Sequence, residues 1–134
     1  MQLETNNDKY FDLKMVGGRF IGGINLSRVF LRPSMIKYLK EKHPEINLNN
    51  YKISKIKEVG TLSRMDYQNS LTDDEFMELV KKDPVNVSNV MMKVFNQETG
   101  EIQIESYYDI VNGRHRITSA IVRGLEKITA DISF

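Results

Sequence analysis

The stretch that most constrains the fold lies near the end of the chain. Residues 108–132, YDIVNGRHRITSAIVRGLEKITADI, run as an apolar strand, an abrupt glycine turn, a short helix, a second glycine and another strand. The pattern predicts a helix over Gly113–Arg123, with Gly124 as the residue just past its end, and a last strand over Ile128–Ser133. A strand that turns at once into a helix and then back into a strand packs helix on sheet. The fold class expected is therefore α+β, a small mixed sheet flanked by helices.

The turn itself carries chemistry. With the last helix starting at Asn112 or Gly113, its first N–H groups have no intrahelical partners and sit at the positive end of the helix dipole. Arg114, His115 and Arg116 crowd positive or potentially positive groups into that same place. Cations there oppose the dipole unless an anion or an acidic neighbour such as Asp109 or Glu126 offsets them. An anion gains the free donors directly. Gly113, without a Cβ, would allow close approach to the main chain. Arg116 would supply a bidentate fork, Arg114 a second charge, and His115 a donor or an acid–base group near neutral pH.

The remaining elements follow from shorter signals. Residues 1–13 read as a polar arm, and 14–134 as one domain. Phe20–Ile24, between the Gly17-Gly18 and Gly22-Gly23 pairs, reads as a strand with a tight turn or as a place of close backbone approach. Pro33 opens a helix whose apolar face is Met35, Ile36 and Leu39, and Pro44 stops it. Residues 51–59 alternate imperfectly, which suggests a strand with one exposed face. Thr72 and Glu75 form a capping box ahead of a helix to Lys82, stopped by Asp83-Pro84. Val90–Phe95 and Ile102–Val111 read as a β-hairpin. Met91 and Met92 are expected in the core, and Tyr107 and Tyr108 alternate so that one faces the core and the other the turn.

Composition excludes several classes. The 134 residues are 40% hydrophobic and 28% charged, which suits a globular domain. No apolar run reaches the roughly 18 residues needed to span a bilayer, and the polar N-terminus lacks a signal-peptide core. Without cysteine there is neither disulfide framework nor thiolate nucleophile, and nothing points to zinc, iron–sulfur or flavin. A cytoplasmic location is the default expectation. The net charge of +1 hides an asymmetry. Residues 14–57 hold ten Lys/Arg against two acids, whereas 58–109 hold four against eleven. The basic half, with Lys37, Lys40 and Lys42 on its helix, is a candidate track for nucleic-acid phosphates.

Tyr108–Arg116, the following helix, Gly124-Leu125 and Ile128–Ile132 together resemble the signature segment of the ParB/sulfiredoxin superfamily. In order before it, Leu62-Ser63-Arg64 resembles the family's upstream arginine box, residues 72–82 the helix that follows, and Asp83-Pro84-Val85 the approach to the hairpin. The resemblance covers about residues 50–134 and leaves an N-terminal extension with one helix unexplained. It implies phosphate or nucleotide binding at Gly113, His115, Arg116 and Arg64, which Asn112 and Arg114 join as the other residues of the turn, with ATP or CTP and Mg²⁺ as the expected cofactors. His115 and Asp109 are then the candidate catalytic residues. Arg114 stands where sulfiredoxins carry cysteine and where partition proteins carry glutamate, which removes sulfur reduction and puts partition-type hydrolysis in doubt. Asn112 replaces a common aspartate. The expected function is a nucleotide-binding, phosphoryl-handling domain. The alternatives are a DNA-binding or DNA-cleaving module using residues 14–57, and a non-enzymatic effector that binds another protein.

Overall fold

The structure is a computed structural model that describes residues 14–16, 19–58 and 60–134. The expected N-terminal arm and the Gly17-Gly18 pair lie outside the described residues. Among the described residues, seven strands and four α-helices form a mixed α+β fold: β1 (Lys14–Val16), β2 (Arg19–Asn25), β3 (Phe30–Leu31), α1 (Pro33–Lys42), β4 (Lys52–Ile53), α2 (Met65–Ser70), α3 (Asp73–Lys82), β5 (Val85–Phe95), β6 (Ile102–Asn112), α4 (Arg114–Val122) and β7 (Lys127–Ser133). The main sheet runs in the order β1-β2-β7-β5-β6, and β3 pairs with β4 in a separate two-stranded piece. Only β5 and β7 are parallel within the main sheet. Helix α4 carries the chain from β6 across β5 to β7.

Local signals explain most boundaries. Thr72 and Glu75 exchange the two hydrogen bonds of a capping box, at 3.1 and 2.9 Å, and three acids complement the first turn of α3. Pro33 begins α1. Gly124, with φ of 75°, closes α4 in the left-handed region, where glycine carries no Cβ penalty. Met35 and Leu39 of α1, Phe76 and Val80 of α3, and Ile117, Ala120 and Ile121 of α4 join Val85, Val87, Tyr108, Ile110, Ile128, Ala130 and Ile132 of the sheet in one core. Burial of that apolar area is the main force holding helices to sheet.

Several expectations change. Residues 19–31 are no appendage, because β2 pairs with β7 from Phe20↔Ile132 to Asn25↔Lys127 and delivers Ile24 and Leu26 to the core. Without β2, β7 would present an open edge. Gly22 and Gly23 lie inside this strand and do not form a turn. Of residues 51–58, only Lys52–Ile53 form a strand, the two-residue β4, and Ile53 and Ile56 are exposed among the lysines. Met91 and Met92 are exposed as well. β5 begins at Val85, earlier than expected, and its pairing with β7 ends at Ser88, so the rest of the β5–β6 hairpin projects past the sheet.

The junction from β6 to α4 turns at Gly113, with φ of 120°. A Cβ there would lie 2.7 and 2.8 Å from two side-chain carbons of Val85. The empty side of Gly113 thus faces the core start of β5 and not a ligand. The Gly113→Ala variant should lose about 2 kcal/mol or more, combining left-handed strain with overpacking. Gly100→Ala, at φ of 73° with nothing within 4 Å, carries only the backbone part and serves as the control in urea or thermal melts. Equal losses in the two variants would show that contact with Val85 costs nothing.

Candidate functional site

The end of β6 and the first turn of α4 open onto a cleft of about 880 Å³. Arg32 at the start of α1, Glu58 from the loop after β4, Arg64, Tyr67 and Gln68 at α2, Leu79 and Asp83 at the end of α3, and the run from Ile110 to Arg116 form its walls. Asn112, Gly113, Arg114, His115, Arg116 and Arg64 therefore converge as the sequence suggested. Four arginines face two carboxylates, so the lining is cationic overall. Gly113 offers no side-chain cap to α4, and Ile117 is the first residue whose N–H bonds back, to the Gly113 carbonyl at 2.9 Å. The N–H groups of Arg114, His115 and Arg116 are thus the uncapped donors of this helix.

The two arginines of the turn are already matched by acids, though not by Asp109 or Glu126. Arg114 reaches Glu58 at 2.9 Å and donates to Ser34 Oγ at 3.1 Å. Glu58 in turn accepts from the Ser34 N–H at 3.0 Å, capping α1 from another part of the chain. Burial works against ionisation of Glu58, but the Ser34 hydrogen bonds and the Arg114 charge together outweigh it and hold its carboxyl below the ordinary value. Arg116 is buried, donates to the Asp83 carbonyl and lies 3.4 Å from the Asp83 carboxylate. It fastens α4 to the end of α3. Arg64 is different. No hydrogen bond or ion pair engages its guanidinium among the described residues, and it is exposed at the cleft.

His115 stands close enough to these cations to feel them. Burial first, then the charges of Arg64 and Arg114, lower its pKa from 6.5, so the ring is neutral at pH 7. Its Nε2 is buried without a partner, and the Oε1 of Gln68 is the other buried orphan among the described side chains. Both residues line the cleft.

Sequence reading missed Arg32, Glu58, Tyr67, Gln68 and Asp83 as wall residues. Arg32 donates to the Ile110 carbonyl at 2.7 Å, which pins α1 beside the end of β6. Tyr67, 57% exposed, is the aromatic side chain of the cleft. Tyr108 packs in the core, and Tyr107 packs against Phe30 at 5.6 Å between ring centres, so neither serves the turn. Asp109 does not line the cleft either. Strand alternation puts it on the sheet face opposite Tyr108 and Ile110, across from Ser88, which removes the geometric basis for its catalytic role.

Two cations of the basic half are engaged by acids. Arg19 pairs with Asp131 at 2.9 Å, and Arg28 pairs with Glu105 at 3.3 Å. Lys37, Lys40 and Lys42 are exposed on α1, and the first two border a separate shallow depression with Ile36 and Ile53. Among the described residues no three His, Asp or Glu side chains gather as a metal-ligand set, and no helix is long and apolar enough to cross a membrane. Compared with protein-family models, curated proteins and solved structures, the chain shows no significant match to any of them.

The His115 environment makes stability depend on pH. A base with a folded pKa below its unfolded value favours the neutral form on folding. Its contribution is present above about 6.5 and falls as pH drops through that value and the lower folded one. Melting temperature should therefore decline from pH 7.5 to pH 5, and His115→Gln should flatten the part of the decline near pH 6. Glu58 acts only below 4.5, so the two contributions separate. An unchanged pH profile in His115→Gln would mean that the ring gains and loses its proton freely.

Proposed function

We propose that this is a nucleotide-binding domain that holds phosphate groups at the start of α4, as the ParB/sulfiredoxin-like turn suggests. The observation that carries the reading is the union, in one cleft, of uncapped α4 N–H groups with the guanidinium of Arg64, which has no partner among the described residues. Phosphate oxygens accept from such N–H groups and from arginine without further adjustment. Arg32 adds charge to the cleft lining, and Tyr67 offers an exposed ring on which a base can stack. The volume lies in the range of small-ligand sites.

ATP or CTP would bring Mg²⁺ bound chiefly to its own phosphates. The carboxylates beside it would be Glu58 and Asp83, since Asp109 lies elsewhere. Neutral His115 is suited to donate to a phosphate oxygen through an Nε2–H, or to take a proton if a hydroxyl attacks. The turn's own arginines, by contrast, serve mainly to fix the walls. This shifts the decisive contact from Arg116 to Arg64.

ATP or CTP with Mg²⁺ at millimolar concentration should raise the melting temperature, because a ligand that binds only the folded chain stabilises it by mass action. Arg64→Ala should weaken the affinity about tenfold, the equivalent of one charge-assisted hydrogen bond, while leaving the unliganded melting temperature within about 1 °C. No stabilisation by any nucleotide, or an undiminished response in Arg64→Ala, rejects the proposal.

A further inference from the structure

We propose that the cleft selects a phosphate compound whose organic part presents its own hydrogen-bond donor to Gln68. The inference rests on the phosphate reading above and concerns what lies next to the phosphate. Gln68 is only 9% exposed, lines the cleft, and leaves its side-chain Oε1 buried with no partner. Its backbone is not free to move away. The Gln68 carbonyl accepts from Arg123 at 2.7 Å, and the same guanidinium nitrogen binds the Leu71 carbonyl at 2.7 Å. The backbone is thus fixed at the cleft wall, and the side-chain acceptor lies buried there without a partner.

Buried acceptors in folded proteins are almost always satisfied. An ionised phosphate cannot do this, because its oxygens are acceptors too. The missing partner is an O–H or N–H, and a ligand seated in the cleft would supply it. His115 can adjust to either kind of group, since a neutral imidazole presents a donor or an acceptor according to its tautomer. Gln68 is therefore the discriminating residue of this wall. A ribose hydroxyl and an exocyclic base amine both supply the donor, whereas inorganic polyphosphate does not. A site built to bond such a group disfavours analogues that lack it, because the buried acceptor is then left unpaired.

The test measures binding of tripolyphosphate, ATP, UTP and 2′,3′-dideoxy-ATP to the full chain by calorimetry. The wild type should prefer ATP to tripolyphosphate by about tenfold or more. A preference lost with dideoxy-ATP assigns the donor to the ribose, and one lost with UTP assigns it to the base amine. Gln68→Leu, similar in size but without the acceptor, should bring ATP to within about twofold of tripolyphosphate while tripolyphosphate binding stays as it was. Gln68→Glu, which keeps an acceptor, should retain the preference and shows whether loss in the leucine variant follows from misfolding. Equal binding of tripolyphosphate and ATP by the wild type overturns this inference and leaves the phosphate site standing. So does a parallel loss of both ligands in Gln68→Leu. If none of the four binds, the phosphate reading falls and this inference falls with it.

Discussion

The site depends on two arginines of one short helical segment, held against backbone carbonyls. Arg116, in the first turn of α4, binds the end of α3 through Asp83. Arg123, just past the last turn, binds the Gln68 and Leu71 carbonyls, pairs with Asp73 at 2.6 Å and lies over the Phe76 ring at 4.5 Å. Both side chains are about nine-tenths buried. Removing either arginine takes the donor from backbone carbonyls at the ends of α2 and α3, whereas the Asp83 and Asp73 carboxylates are exposed and return to water. Through these contacts α4 grips both α2 and α3, and the cleft wall from Arg64 to Asp83 takes its position from that grip.

This arrangement divides labour among cations that look equivalent in the sequence. Arg114 and Arg116 sit at the positive end of a helix, where they are unfavourable alone. Glu58 and Asp83 neutralise them locally, so the helix end remains attractive to an anion without being closed to one. Arg114 also couples α4 to α1, since Glu58 bridges its guanidinium and the Ser34 N–H. Three helix ends are thus fixed about one opening by two ion pairs. Charge left for a ligand comes from Arg64, with Arg32 also lining the cleft.

Much of this framework was legible from local chemistry. The capping box at Thr72, the prolines at 33 and 84 and the glycine at 124 act within a few residues, so their effects can be read without knowing the fold. The anion-attracting character of 112–116 was legible too, because a helix end carries its chemistry with it, whereas Arg64 entered only through the family resemblance. What escaped depended on contacts distant in sequence. Glu58 meets Ser34 across 24 residues, and Arg123 meets Gln68 across 55. Gln68 itself sits in a six-residue helix too short to show a period, and nothing in its neighbours marks it as buried. Asp109 was assigned by nearness in sequence, yet one residue along a strand reverses the face. The exposed methionines show the converse. Apolar residues imply burial only where another element arrives to cover them, and β7 ends too soon.

The contact between Gly113 and Val85 has a further consequence for how this turn can change over time. The two positions, 28 residues apart, occupy one volume, and whatever fills it from one side is denied to the other. A side chain at 113 needs a smaller residue at 85 and still bears the left-handed backbone; a larger residue at 85 pushes directly on the phosphate turn. Variation in the core start of β5 is therefore variation in the geometry of the binding loop, and the two are inherited as a single trait.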